Sequence, residues 1–175
     1  MISFTNAWEQ KKIGDLSCIS TGKSNTQDAK ENGKYPFFVR SPIPLRSDEF
    51  LYDEEAIITI GEGAIGKVFH YIKGKFNLHQ RCYKIYNFNN LNAKFIYYYM
   101  IQNFYNQVIK KSAKATVDSL RFEMIASMFV NYPKCNDEIL KIIKLLDTTN
   151  NLISLHQCKK IDLKNFKIND LHFFS

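Results

Sequence analysis

Nine cations and no carboxylate in 55 consecutive residues make a chemistry suited to anions. From Gly63 to Val117 the chain carries Lys67, Lys73, Lys75, Arg81, Lys84, Lys94, Lys110, Lys111 and Lys114, with neither Asp nor Glu. The whole chain is +7, and the remainder, with 15 basic and 17 acidic residues, sums to −2, so the basic character is local. Lys and Arg neutralise phosphates and release condensed counterions, and a surface doing so works better without carboxylates nearby. Twelve aromatics share the window, among them Phe69, Tyr71, Tyr83, Tyr97 and Phe104. Such rings can stack on bases, but more often they fill a core. A basic globular domain with a skewed surface would show the same charge, which bears on association rather than fold.

Catalytic chemistry finds less support. Gly61-x-Gly63-x-x-Gly66 follows a β-branched run as a dinucleotide fingerprint does. That fingerprint must open a helix and needs an acid about 20 residues on for the ribose. Here Lys67 to Ile72 reads as strand, and no acid occurs before Asp118. The better reading is a glycine-bent β-turn that admits close approach of another backbone, with DNA as one candidate and Lys67 at a phosphate. His70, His79, His156 and His172 are scattered, and His79 with Cys82 lacks a second pair to complete a metal site. Asp53, Glu54 and Glu55 read as a solvated lead-in to a strand, with no acid-x-Lys on a neighbouring strand to make a nuclease site. Asn131-Tyr132-Pro133 lacks the tandem proline of the amino-methyltransferase signature, and no phosphate-binding loop is present. The expectation is no catalytic residue, no metal and no cofactor in this chain.

The elements that must position these residues fall into two kinds. Trp8, Ile13, Leu16 and Ile19 give an apolar rhythm ending at Thr21-Gly22-Lys23. Tyr35 to Val39 is a strand candidate, and Pro42 and Pro44 then force an extended loop. Ala56 to Ile60 is the clearest strand. Val68 to Ile72 suggests another, with Lys73-Gly74-Lys75 as its turn, and Arg81 to Phe88 alternates as a further one. Asn92 to Lys111 places Phe95, Tyr98, Tyr99, Ile101, Gln102, Tyr105 and Ile109 at helical spacing. Ala115 to Ser119 reads as a polar loop, Leu120 to Ala126 as a short helix, and Met128 to Tyr132 as a strand stopped by Pro133. From Asp137, Ile139, Ile142, Leu146, Thr149, Ile153 and His156 recur three or four apart, with Leu145, Leu152 and Leu163 beside them. About 30 residues of helix would be on the order of 45 Å long, more than a small domain can cover, so part of the stripe should face a partner helix, the alternative being a terminal helix folded back on its own core.

Bulk composition fits one domain with an appendage. The chain has 175 residues, 45 % of them hydrophobic, with four Pro and seven Gly. No run approaches the ~18 apolar residues of a membrane span. The first residues lack the cationic start and apolar core of a secretory signal. Cys18, Cys82, Cys135 and Cys158 are too widely spaced for a zinc knuckle and fit reduced thiols. The expectation is a soluble, cytoplasmic protein.

Three segments together resemble the specificity subunit of type I restriction–modification systems. The first is Trp8-Glu-Gln-Lys-Lys-Ile-Gly-Asp-Leu16 leading to Thr21-Gly22-Lys23. The second is Gly61-Glu-Gly-Ala-Ile-Gly-Lys-Val68, then Gly74-Lys-Phe-Asn77 and Arg81-Cys-Tyr83. The third is Lys114-Ala-Thr-Val-Asp-Ser-Leu120, Val130-Asn-Tyr-Pro133, and the stretch through Ile142-Ile-Lys-Leu-Leu-Asp147 to Lys160 and Lys164. Before that stretch the family often has Pro-x-x-x-Glu-Gln, whereas this chain has Pro133-Lys-Cys-Asn-Asp-Glu138-Ile139.

The resemblance implies an α+β fold: a mixed-sheet target recognition domain at 1–134, then a long helix at 135–175 forming a coiled-coil-like pair. Family members usually carry two such domains and two antiparallel helices, so this chain resembles half a subunit. It implies no active site of its own. The chain would read one half of a bipartite DNA target for methyltransferase (M) and restriction (R) partner subunits, which would use S-adenosylmethionine, ATP and magnesium. From loop placement and residue type, the DNA-contacting candidates are Lys23, Ser24, Arg40, Lys67, Arg81, Lys114, Thr116, Ser119 and Arg121. Ile139, Ile142, Leu146, Ile153 and Leu163 are the candidates for a homodimer or partner seam. The rivals are a fragment of a fused restriction enzyme or methyltransferase, and a decoy half-subunit that binds partners without DNA.

Overall fold

The computed structural model describes residues 8–89, 91–109 and 119–171, with 109 and 161–171 as backbone only. The chain divides into two compact units, Met1–Lys134 and Cys135–Ser175.

The first unit is built on a six-stranded mixed sheet. Its strands are β2 (Cys18–Thr21), β3 (Tyr35–Phe38), β4 (Leu45–Ser47), β5 (Tyr52–Ile60), β6 (Phe69–Leu78) and β7 (Cys82–Tyr86), in the order β2-β7-β5-β6-β3-β4. All neighbours are antiparallel except β3 and β6, which run parallel with Phe37 opposite Asn77. β5 is central because Ala56-Ile-Ile-Thr-Ile60 is buried on both faces. One face builds a core of Phe38, Ala56, Ile58, Ile60, Phe76, Leu78 and Cys82. The other carries Phe69 and Tyr71 against Phe104 and Tyr97 of helix α2 (Ala93–Phe104).

Asn92 caps α2 by accepting from the Lys94 N–H at 2.9 Å. Ala93, Ile96, Met100 and Phe104 recur three or four apart on its buried face. The helix expected to run to Lys111 leaves α geometry at Phe104 and widens into a π turn, Tyr105–Ile109. From that turn the Gln107 amide donates to the Phe129 carbonyl and accepts its N–H, both at 3.0 Å. Phe129 opens β8 (Phe129–Pro133), which pairs antiparallel with β1 (Trp8–Lys12) in a separate two-stranded sheet. Ile13 and Leu16, two of the residues in the apolar rhythm of the opening segment, are buried in a single turn, α1 (Ile13–Leu16). The short helix expected from Leu120 begins at Phe122, as α3 (Phe122–Ala126).

Two strand expectations are corrected. β5 starts at Tyr52, so Asp53, Glu54 and Glu55 lie within the sheet and not in a solvated lead-in. β6 runs through Lys73-Gly74-Lys75 without turning; Gly74 takes a positive φ of 119° opposite Glu54. A glycine there lets the strand twist where another residue would be strained.

The second unit is one helix, α4 (Asn136–Leu171), of 36 residues. Asp137 and Glu138 in its first turn suit the positive end of the helix dipole. Ile139 and Ile143 are buried, Ile142 and Leu146 half-buried, and Leu145, Leu152, Ile153 and Leu155 exposed. The Leu163 side chain falls outside the described residues.

Candidate nucleic-acid interface

The glycine-rich bend after β5 is positioned by backbone contacts on both sides. The Gly61 N–H donates to the Arg81 carbonyl at 2.9 Å, and the Gly61 carbonyl accepts from Leu120 at 2.7 Å. A Cβ on Gly61 would stand 2.7 Å from the Arg81 oxygen, so the close backbone approach expected of this glycine is met inside the protein. Glu62 forms an isolated antiparallel bridge with Ser119. Gly63 and Gly66 take φ values of 86° and 71°, which turn the chain back into β6. Ile65 and Val68 are buried beneath the loop, and Lys67 is exposed on it. The segment opens a strand, not a helix, as a dinucleotide fingerprint would require.

Arg81 sits in the tight turn between β6 and β7. Its N–H donates to His79 Nδ1 at 3.1 Å, and Cys82 N–H donates to the His79 carbonyl at 2.9 Å. His79 N–H in turn donates to the Phe38 carbonyl at 2.9 Å, two residues before Arg40. Three remote sequence positions therefore meet. Arg40 Nη1 and Arg81 Nη1 both donate to the same oxygen of Glu62, Oε2, at 3.1 Å and 2.5 Å. The side chains are 47 %, 51 % and 33 % exposed respectively, so this is a solvated anion-and-cation cluster and not a core feature. Hydrogen bonding from Arg81, supported by the charges of Arg81 and Arg40, holds the Glu62 carboxyl below its usual range. Burial, with help from Arg40 and Arg81, lowers the basicity of the His79 imidazole.

The cluster unites Arg40, Arg81 and, through its backbone, Ser119. Lys67 stands exposed on the same bend, and Arg121 is exposed at the start of α3. Lys23 is exposed beside the β6 end, where its N–H donates to Leu78 O at 3.2 Å. Lys114 and Thr116 lie outside the described residues. Ser24 is a correction: it is 7 % exposed and its hydroxyl donates to Asn77 Oδ1 at 2.7 Å. A buried hydroxyl already satisfied in this way fastens the loop to β6 and is not free to read a base.

The acid-free window is acid-free in sequence only. Strand pairing sets Lys73 opposite Glu55 and Lys75 opposite Asp53. Lys84 is buried, ion-paired with Glu54 and lying over the rings of Tyr86 and Tyr52 at 3.5 Å and 4.2 Å. Lys75 covers the Phe50 ring at 4.6 Å. A cleft of about 470 Å³ opens beside Glu54, Glu55, Tyr86 and Asn87, and the charged residues lining it are acidic, not basic. Among the described cations of the window, Lys67 and Arg81 lie around the bend and not on β6.

Glu62 is not among the candidates drawn from sequence, because an acid counts against a phosphate surface. Its signal is its place: it stands between two glycines at the border of the basic window. Among the described residues no group of three or more His, Cys, Asp or Glu could hold a metal ion. None of their helices is long and apolar enough to cross a membrane. Burial pushes the Cys82 thiol up to about 12, which leaves it unreactive near neutrality.

Residues 6–169 match a family described as the type I restriction modification DNA specificity domain. The type I restriction enzyme EcoDI specificity subunit of Escherichia coli is 27 % identical over 141 residues, covering 81 % of this chain and 31 % of that protein. The S subunit of a type I restriction–modification system from M. genitalium superimposes with a TM-score of 0.72 at 17 % identity, over 86 % of this chain and 41 % of that one. A chain from a structure of type I R-M system assembly and conformational transition gives 0.63 at 13 % identity, over 87 % and 40 %. The chain thus spans about a third of the curated relative's length and two-fifths of the solved chains, which share its mixed sheet followed by a long helix.

Proposed function

We propose that this chain, which belongs to the family of type I restriction–modification DNA specificity domains, reads one half of a bipartite duplex target and delivers it to catalytic partners. The observation that carries the reading is the convergence of Arg40, Arg81, Lys67 and Ser119 on one glycine-bent edge of a domain matched to that family. Arginine and lysine there would grip phosphates and set register. Polar side chains of the same loops would then reach base edges in the major groove. On this reading methyl transfer and ATP-driven cleavage belong to M and R subunits, with S-adenosylmethionine, magnesium and ATP bound there, in the cytoplasm where the DNA is.

The test is binding to a fluorescent duplex, titrated at several salt concentrations. The logarithm of the affinity should fall linearly with the logarithm of salt. Replacing Arg40 and Arg81 by Ala should weaken binding and flatten the slope by about 0.9 for each phosphate no longer neutralised. An unchanged slope in that variant would place the phosphate grip elsewhere. Absence of binding by the wild type at low salt would favour the decoy reading.

α4 is the proposed assembly element. Leu145, Leu152 and Ile153 are exposed within one arc of the helix that also contains Ile142 and Leu146. At 36 residues, or about 54 Å, it offers a long seam to a second such helix, supplied here by another copy of the chain. Two identical helices pairing antiparallel make a two-fold symmetric contact. Ile142→Asp with Ile153→Asp would bury unpaired charge in that seam. Sedimentation should show the wild type dimeric at tens of micromolar and the double variant monomeric; a monomeric wild type removes the homodimer.

A further inference from the structure

The same cluster contains a feature that a simple phosphate grip does not need. Among the described residues Glu62 is the one carboxylate hydrogen-bonded to both arginines, and the two guanidinium groups converge on its single oxygen Oε2. Two arginines sharing one anionic oxygen is also how a pair of guanidinium groups holds a phosphate oxygen. Exposed ion pairs of this kind add little to folding stability, so stability does not account for the arrangement. The backbone beneath is fixed: Gly61 is clamped between Arg81 and Leu120, and Glu62 is bridged to Ser119. The side chain above is a third exposed and can swing into solvent. A Cβ on neighbouring Gly63 would meet nothing within 4 Å, so there is open space on that side of the bend.

We propose that Glu62 is a resident competitor for a backbone phosphate: its carboxylate fills the anion seat between Arg40 and Arg81, and a phosphodiester must displace it. The inference rests on the DNA-binding reading above and deepens it. A duplex bound only through charge offers little to offset that displacement, whereas a target that also makes base contacts does. Glu62 therefore sets a threshold against non-specific DNA. It works against affinity and in favour of discrimination, as repulsive elements do in selective interfaces. Its carboxyl, held acidic by the arginines, keeps its charge at neutral pH, so the threshold is always present.

The experiment compares wild type, Glu62→Gln and Asp48→Asn on a random-sequence 30-base-pair duplex at low salt. Asp48 is an exposed acid in the loop after β4, and its amide variant makes the same change in net charge. Glu62→Gln should tighten random-duplex binding by about three- to tenfold, the scale of one solvated charge beside phosphate. Asp48→Asn should give a smaller gain. With Arg40 and Arg81 both replaced by Gln, the advantage of Glu62→Gln over Asp48→Asn should disappear. A gain no larger than that of Asp48→Asn overturns the competitor role while leaving DNA binding intact. A loss of affinity in Glu62→Gln also overturns it and makes Glu62 an orienting residue for the arginines. If neither wild type nor Glu62→Gln binds the duplex, both the inference and the reading beneath it fail. Unchanged thermal midpoints and circular dichroism spectra establish that each variant is folded.

Discussion

Among the glutamates of this domain that hold cations, Glu54 and Glu62 do opposite work. Glu54 pairs with Lys84, whose side chain is 6 % exposed and lies between the rings of Tyr52 and Tyr86. Glu62 pairs with Arg40 and Arg81, each about half exposed. The residue types hardly differ, yet their surroundings do. In the first case water is excluded from the ammonium, and the pair is part of the packing against a buried core. In the second, water and dissolved anions compete at every contact, so the pair can be exchanged for a ligand. Burial therefore separates a structural ion pair from one that can function in binding, and charge counting along the chain cannot make that distinction.

The largest effect expected from breaking the comparison is at Glu54. Glu54→Ala strands the Lys84 ammonium in the sheet against ring faces, and should cost about 3 kcal/mol, since an unpaired buried charge is penalised heavily. Lys84→Met should cost much less, because it removes the charge while retaining the stem that packs against the rings. Glu62→Ala should leave the unfolding midpoint near that of wild type. Urea denaturation of the three variants reads this directly. If Glu54→Ala and Glu62→Ala shift the midpoint equally, burial does not divide the two pairs.

The same division governs what the sequence can reveal. Ala56 to Ile60 and the helical spacing after Asn92 are legible because apolar periodicity reports burial. The edges of those elements are not. Asp53 to Glu55 read as solvated because they are charged, although a lysine 30 residues away draws Glu54 into the sheet. Lys73-Gly74-Lys75 reads as a turn by local propensity, and pairing with β5 overrides it. The parallel contact of β3 with β6 has no local signature at all. At the candidate site, Arg40, Lys67, Arg81 and Ser119 can be named by type and loop placement, whereas Ser24 is misplaced because a small polar residue looks the same buried or exposed. Glu62 escapes for a similar reason: its partners lie 22 and 19 residues away, and only folding brings them to one oxygen.

The smallest effect expected is a pH dependence that reports on the exposed cluster from beneath. His79 is buried under Arg40 and Arg81, with Glu62 and Asp28 also acting on it, and burial depresses its basicity from the ordinary 6.5. His70, tucked beside Phe38 at 5.0 Å between ring centroids, is depressed by burial as well. For a base depressed in the fold, the unfolded chain takes up the proton first. Neither state is charged well above pH 6.5, so the histidines are then neutral in their effect. As pH falls below 6.5 the unfolded state gains protons that the folded state refuses, and stability declines. Urea midpoints should therefore drop between about pH 6.5 and 5.5, before most carboxylates titrate. His79→Gln should remove part of that drop and leave the part due to His70. A saturating duplex should alter only the His79 part, because it exchanges the Glu62 carboxylate for phosphate beside Arg40 and Arg81, and the charges of all three residues act on His79. If the duplex leaves the pH dependence of wild type and of His79→Gln equally unchanged, the DNA does not lie over this cluster, and the exposed pair is no more a ligand seat than the buried one.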